Sequence, residues 1–266
     1  MPLLNCLVID DSGIVRGQLR EGICSVLPDC HVFEVEGALE GARFLSRFVP
    51  EVVFLDLNMP GVGGIEFLDG LDRILAGRKR PIIVSITAEI NAVTLKALQD
   101  RGAYDLLPKP FDKIAIATVL LRLVQMTRMR RVLVVDDSAT VRQVVRKIVQ
   151  RSRFNLHVDE AACAEDAYRL FRGQGFDLAF IDMFMPDVDG LEVAGEILYT
   201  RQGVHIVMMS GDADESRRRA AAHIGVQHFL KKPFYPAQVD SVLHALYDMN
   251  DAQFLEAARH EVFTQI

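Results

Sequence analysis

Short runs of β-branched and other apolar residues recur along the chain, and between them apolar residues return at every third or fourth position. The first pattern predicts buried strands, and the second predicts helices with an apolar face. In the first half the predicted strands are Leu4–Ile9, His31–Val35, Val52–Leu55, Ile82–Ile86 and Tyr104–Leu107, with helices starting near Ser12, Gly37, Gly63, Ile90 and Asp112. In the second half they are Val132–Val135, Leu156–Glu160, Leu178–Ile181, His205–Met209 and His228–Leu230. Several strands are apolar throughout, as a parallel sheet covered on both faces requires. Five βα units in each half predict an α/β fold: a doubly wound parallel sheet of order 2-1-3-4-5, with ligands at the carboxyl ends of its strands.

The two halves are a duplication. Leu7-Val8-Ile9-Asp10-Asp11-Ser12 returns as Leu133-Val134-Val135-Asp136-Asp137-Ser138, displaced by 126 residues. Phe54-Leu55-Asp56-Leu57-Asn58-Met59-Pro60 returns at the same displacement as Phe180-Ile181-Asp182-Met183-Phe184-Met185-Pro186. Lys109-Pro110-Phe111 returns as Lys232-Pro233-Phe234, displaced by 123. Repetition at a fixed period is the mark of a repeated structural unit. The boundaries read as one domain over 1–127, a second over 128–250 and a helical tail over 251–266. Only Thr127–Arg131 is left as a linker, without a Gly, Pro or Ser tract, so the domains are expected to keep a restricted orientation.

Composition narrows the function classes. Of 266 residues, half are hydrophobic and a quarter charged, which suits a soluble protein with real cores, and the net charge of −6 argues against a general nucleic-acid binder. No signal-peptide pattern opens the chain, and no apolar stretch is long enough for a bilayer, so a cytoplasmic protein is expected. Four cysteines without CxxC spacing read as reduced thiols.

In a sheet of this order the ends of strands 1 and 3 are neighbours, which places Asp10 and Asp11 beside Asp56, and Asp136 and Asp137 beside Asp182. Three carboxylates in one pocket repel unless a positive charge sits among them. A hard divalent cation, Mg²⁺ or Mn²⁺, one per domain, meets that need with oxygen ligands. A carboxylate such as Asp56 then serves as nucleophile toward a phosphoryl group. Lys109 and Lys232, after strand 5, add a second positive charge, and Thr87 and Ser210, closing strand 4, offer a hydroxyl. Singly, an Asp pair at a strand end is a helix cap and a Lys-Pro is a loop. All four features, twice and in one order, outweigh that plain reading.

With its Asp-Asp, Asp-x-x-Met-Pro, Thr/Ser and Lys-Pro-Phe elements, each half resembles bacterial response-regulator receiver domains of the chemotaxis type, over about residues 3–127 and 130–248. The resemblance implies two flavodoxin-like domains that accept phosphate on Asp56 and Asp182 from a sensor histidine kinase or a histidine phosphotransfer protein. It implies metal ligation by Asp10, Asp11, Asp56 and the Asn58 carbonyl, and by Asp136, Asp137, Asp182 and the Phe184 carbonyl. It also implies Lys-Pro bonds that are cis. The family's switch aromatic, three residues before the lysine, is Leu106 in the first half and Phe229 in the second. Dephosphorylation is tuned by residues two past the acceptor and two past the Thr or Ser, here Asn58 and Glu89 against Phe184 and Asp212. The polar pair is expected to orient water and Phe184 to obstruct it.

Too few residues follow Leu246 for a helix-turn-helix unit, so the expected output is contact with a downstream protein effector, without nucleic acid, membrane insertion or enzymatic turnover. Helix Asp112–Met126 is apolar on more than one face and is expected to pack on the other domain or in a homodimer. The tail Asp251–Phe263 reads as an amphipathic helix. Arg128, Arg130 and Arg131 read as a charged linker, and Arg217–Arg219 as a solvated helix face. Two alternatives stay open: a subunit whose cyclase or transcription-factor effector lies on a separate chain, and an aspartate-nucleophile phosphohydrolase. The latter needs an acidic residue where Asn58 and Phe184 stand.

Overall fold

A computed structural model describes residues 4–186, 188–201, 203–211, 215–226, 228–247 and 249. The chain divides into two compact units, one running through Thr127 and the other from Arg128 to Asp248. The first unit runs β1 (Asn5–Ile9), α1 (Gly13–Val26), β2 (His31–Val35), α2 (Ala38–Arg47), β3 (Val52–Asp56), α3 (Gly64–Leu75), β4 (Ile82–Thr87), α4 (Ala92–Asp100), β5 (Asp105–Pro108) and α5 (Lys113–Thr127). The second repeats it as β6 (Arg130–Val135), α6 (Ala139–Gln150), β7 (Leu156–Ala161), α7 (Ala164–Gly173), β8 (Leu178–Asp182), α8 (Gly190–Thr200), β9 (His205–Ser210), α9 (Glu215–His223), β10 (His228–Lys231) and α10 (Pro236–Leu246). Both sheets are parallel and five-stranded, ordered β2-β1-β3-β4-β5 and β7-β6-β8-β9-β10, the doubly wound flavodoxin-like order.

The cores follow from strand alternation. On one face of the first sheet Leu7, Ile9, Val53, Leu55 and Ile83 pack with Leu45 of α2 and Phe67, Leu71 and Leu75 of α3. On the other, α1 and α5 approach so closely that a Cβ on Gly22 would fall 2.6 Å from Ile116 Cδ1. Leu133, Val135, Ala179, Ile181, Ile206 and Met208 build the equivalent inner face in the second unit, against Ala167, Phe171, Val193 and Ile197.

Two expectations need correction. Strands β3, β4, β8 and β9 run one residue past their apolar patterns, ending on Asp56, Thr87, Asp182 and Ser210. The hydrophobic run stops there, but the backbone ladder continues, with Asp56 paired to Ile86 and Asp182 to Met209. Arg130 and Arg131 are not linker: β6 begins at Arg130, which is buried with its guanidinium 4.0 Å from the Tyr247 ring centroid. Helix α5 has one buried face (Ile116, Val119, Leu120, Leu123 and Met126), while Ile114 and Leu121 are 74% and 62% exposed. Residues 251–266, with the expected tail helix, and Asp212 lie outside the described residues. Among the described residues no helix is long and apolar enough to cross a membrane.

The turn after the third strand of each unit folds its helix tightly back. A Cβ on Gly64 would sit 2.4 Å from the Asp56 carbonyl oxygen, and one on Gly190 only 1.9 Å from that of Asp182. Any larger residue must push these helices away from the acidic loop. Gly190→Ala is therefore expected to destabilise the second unit by about 1–3 kcal/mol or more. Gly195→Ala, in the same helix with nothing near its Cβ, is expected to be neutral or to stabilise by up to about 1 kcal/mol. Urea unfolding of the two variants checks the contrast.

Candidate functional site

Strand register assembles each pocket. Ile9 is paired with Leu55, so Asp10 and Asp56 emerge side by side at the carboxyl edge, and Val135 paired with Ile181 does the same for Asp136 and Asp182. One strand further, Thr87 is level with Pro108, and the Lys109 amide donates to the Thr87 carbonyl at 2.7 Å. In the second unit the Lys232 amide donates to the Ser210 carbonyl at 2.8 Å. Both Lys-Pro bonds are cis.

The lysines close the pockets. Lys109 Nζ lies 2.9 Å from both Asp10 Oδ2 and Asp56 Oδ2. Lys232 Nζ lies 2.6 Å from Asp136 Oδ2 and 3.0 Å from Asp182 Oδ1. Asp10 and Asp136 are buried, Asp56 is 3% and Asp182 8% exposed, while Asp11 and Asp137 face solvent. In each triad a carboxylate oxygen from every residue lies within 4.8 Å of the others. Three carboxylates against one ammonium leave net negative charge, all of it on hard oxygen donors. That donor set fits a divalent cation such as Mg²⁺, with Asp11 or Asp137 at the open side.

The helix-cap duty falls elsewhere. Ser12 Oγ accepts from the Val15 amide and Ser138 Oγ from the Val141 amide, so the acidic pairs are not consumed as helix caps. Asp10 Oδ1 accepts the Ser12 amide at 2.8 Å and Asp136 Oδ1 the Ser138 amide at 2.9 Å, which fixes the orientation of these carboxylates.

Burial raises the pKa of Asp56; the Lys109 hydrogen bond and the Asn58 amide pull it down, and the charge of Asp10 adds to the rise. Burial likewise raises Asp182 against the pull of Lys232. For Lys109 burial favours the neutral amine, but the bonds and charges of Asp10 and Asp56 outweigh it and the pKa rises. The lysine therefore stays charged.

The hydroxyls differ between the units. Thr87 Oγ1 accepts the Glu89 amide at 3.1 Å and donates to the Glu89 carbonyl at 3.2 Å. Ser210 Oγ is buried and has no hydrogen-bond partner among the described residues. Leu106 is buried in its core, whereas Phe229 is half-buried beneath the Arg218 guanidinium at 5.3 Å. Asn58 and Glu89 are exposed. Phe184 is 50% exposed and its ring lies 4.4 Å from the guanidinium of Arg217, which also pairs with Asp189 at 2.9 Å. Of the three arginines read as a solvated face, Arg217 thus ties α9 to the loop after β8.

Two arginines escaped the sequence reading. Arg16 Nη1 donates to the carbonyls of Asp10 (2.8 Å) and Asp11 (3.2 Å), and Arg142 Nη1 to those of Asp136 (2.8 Å) and Asp137 (3.1 Å). Each holds the backbone of its acidic pair from the first turn of a helix. The signal was present: Val15-Arg16 recurs as Val141-Arg142 at the same displacement of 126 as the acidic motif. The Arg122–Asp105 pair, buried beside Leu106 at 2.5 Å, was also missed, since neither residue stands out in the pattern.

Because the folded-state pKa of Asp56 lies above its ordinary value of 3.8, between those two values the native state holds a proton that the unfolded chain has released. The stability contribution is complete below 3.8 and is lost as pH rises through the folded value. In chelator at pH 7, Asp56→Asn and Asp182→Asn are each expected to raise the unfolding midpoint, and the gain is expected to vanish toward pH 4. Thermal unfolding across that range checks it; an Asn variant less stable than wild type at pH 7 contradicts it.

Comparison with known proteins places the chain. The response regulator receiver domain family matches residues 6–121 and again 132–244. The chemotaxis protein CheY of Halobacterium salinarum is 32% identical over 120 residues, covering 45% of this chain and 96% of that protein. The transcriptional regulatory protein ResD of Bacillus subtilis is 31% identical over 113 residues, 42% of this chain and only 46% of ResD, so the chain spans about half of that relative. A solved two-component system response regulator/GGDEF domain protein aligns with 93% of this chain and 100% of the solved chain at TM-score 0.58 and 24% identity, which shows the shared tandem fold. The chain belongs to the response regulator receiver domain family, with two copies of that domain in tandem.

Proposed function

We propose that both domains accept phosphoryl groups, Asp56 and Asp182 being the acceptors and a phosphorylated histidine kinase or histidine phosphotransfer protein the donor. The observation that carries this reading is the pairing, in each unit, of a buried aspartate with one lysine at 2.9–3.0 Å inside a triad of carboxylates. In the transfer, a carboxylate oxygen of Asp56 or Asp182 attacks phosphorus, the O–P bond forms, and the donor's N–P bond breaks with the electron pair returning to the imidazole. Asp10, Asp11 and Asp56, with the Asn58 carbonyl, would hold Mg²⁺ in the first domain; Asp136, Asp137 and Asp182, with the Phe184 carbonyl, would hold it in the second. When bound, the ion supplies positive charge against the phosphoryl oxygens. Lys109 and Lys232 then pair with the acyl phosphate, and the hydroxyls of Thr87 and Ser210 donate to it. Thr87 must first exchange its bond to the Glu89 carbonyl, whereas Ser210 has none to exchange among the described residues.

The output is read as contact with a downstream protein in the cytoplasm, with no turnover beyond loss of the phosphate. The first domain is the faster-cycling one. Asn58 and Glu89 present polar, exposed groups that can orient a water in line with phosphorus. Phe184 sets a ring, held against Arg217, in the corresponding place beside Asp182. A second reading is that the two receivers govern a GGDEF effector, since the solved protein that shares the tandem fold is a response regulator/GGDEF domain protein.

Transfer from labelled kinases to wild type, Asp56→Asn and Asp182→Asn tests the proposal. Each single variant is expected to take label on its remaining aspartate, and phospho-Asp182 is expected to decay several-fold more slowly than phospho-Asp56. Equal decay rates would sink the assignment of unequal lifetimes. No label on either variant from any kinase or small phosphodonor with Mg²⁺ would sink both acceptors.

A further inference from the structure

At the opposite end of β1 from Asp10, two thiols meet. Cys6 is fully buried in the strand, Cys30 is half-buried just before β2, and their sulfurs are 3.5 Å apart. The contact is made across 24 residues of sequence by the β1–β2 pairing, which sets Asn5 opposite His31. A disulfide has sulfurs about 2.05 Å apart, so closure asks for about 1.5 Å of approach. Cys30 lies where that approach is easiest. Its amide closes a turn onto the Leu27 carbonyl at 3.0 Å, after the end of α1 and before the first ladder residue of β2. The turn can shift without breaking a strand pair.

We propose that Cys6 and Cys30 form a reversible redox site, a dithiol that hydroperoxides close to a disulfide within the first domain and that small thiols reopen. Cys30 is the attacking residue. Its thiol is held below the ordinary value by its hydrogen bond with Cys6, while that bond and burial push the Cys6 thiol up. The more acidic and more accessible sulfur is thus the same one. In the first step the Cys30 thiolate attacks the terminal peroxide oxygen; an S–O bond forms, the O–O bond breaks, and an alcohol or water departs. In the second step the Cys6 sulfur, giving up its proton, attacks the Cys30 sulfenic acid. The S–S bond forms, the S–O bond breaks, and the hydroxide leaves with that proton as water. Two thiols lose two electrons and two protons in all, and one hydroperoxide gains them. Cys24 is exposed on α1 and Cys163 stands at the N-cap position of α7 in the other unit, while the described sulfur contact of Cys30 is with Cys6.

The test uses the full chain, reduced and then exposed to a modest excess of hydrogen peroxide. It is alkylated in denaturant, digested and mapped by mass spectrometry without reductant. The expected product is a cross-linked peptide pair containing Cys6 and Cys30 that disappears with dithiothreitol, while Cys24 and Cys163 remain alkylated. Alkylated Cys6 and Cys30 after peroxide, Cys30 oxidised past sulfenic acid, or Cys30 bonded to Cys24 would each overturn the proposal. In Cys30→Ser, Cys6 is expected to stay reduced under the same treatment, and a disulfide from Cys6 to another cysteine would count against the pairing. The wild-type map decides the matter even if that variant folds poorly.

Discussion

Each pocket is organised around an excess of negative charge that a single lysine only partly offsets. Like charges about 5 Å apart repel by roughly 3 kcal/mol at an effective dielectric near 20. Three carboxylates within 4.8 Å of one another are therefore tolerable only because Lys109 or Lys232 stands within 3.0 Å of two of them. The rest of each unit serves that arrangement. Register delivers the aspartates to one edge, Ser12 and Ser138 take over the helix caps, and Arg16 and Arg142 hold the acidic backbone from below. Gly64 and Gly190 let the following helix close over the loop. The net charge left over fits the pocket to a cation, and the proposed phosphoryl transfer rests on that fit.

Much of this was legible in the sequence because its signals are local and repeated. The strand runs give the parallel sheet, and the paired Asp10–Asp11, Asp56 and Lys109 motifs give the pocket once the sheet order is assumed. Other features depend on tertiary neighbours that no pattern displays. Arg130 looks like linker charge, but β6 starts there and Tyr247 receives its guanidinium. Helix α5 looks apolar all round, and only its neighbours within the first unit select Ile116, Val119, Leu120, Leu123 and Met126 as the buried set. Arg217 reads as surface charge until the fold sets Phe184 beneath it. Arg16 is the instructive case, since its recurrence at the motif's own spacing marked it and only its role needed the structure.

The duplication has kept the charge pattern and let its surroundings diverge. Thr87 is engaged with Glu89 while Ser210 has no partner among the described residues. Leu106 is a core residue, whereas Phe229 is a half-buried ring beneath Arg218. These differences all lie in the ring of residues around the acceptor rather than in the acceptor, its acidic neighbours or its lysine. That divergence is the basis of the proposal that the two domains hold phosphate for different times.

The central claim is that each pocket, and not one alone, is built to receive a phosphoryl group with the help of a divalent cation. Intact-mass measurement of the chain with a small phosphodonor tests it most directly. With Mg²⁺ the expected result is a species carrying two phosphoryl groups in wild type, one in Asp56→Asn or Asp182→Asn, none in the double variant, and loss of all of them in chelator. Label that persists in the double variant, or that forms equally well without a divalent cation, would contradict it.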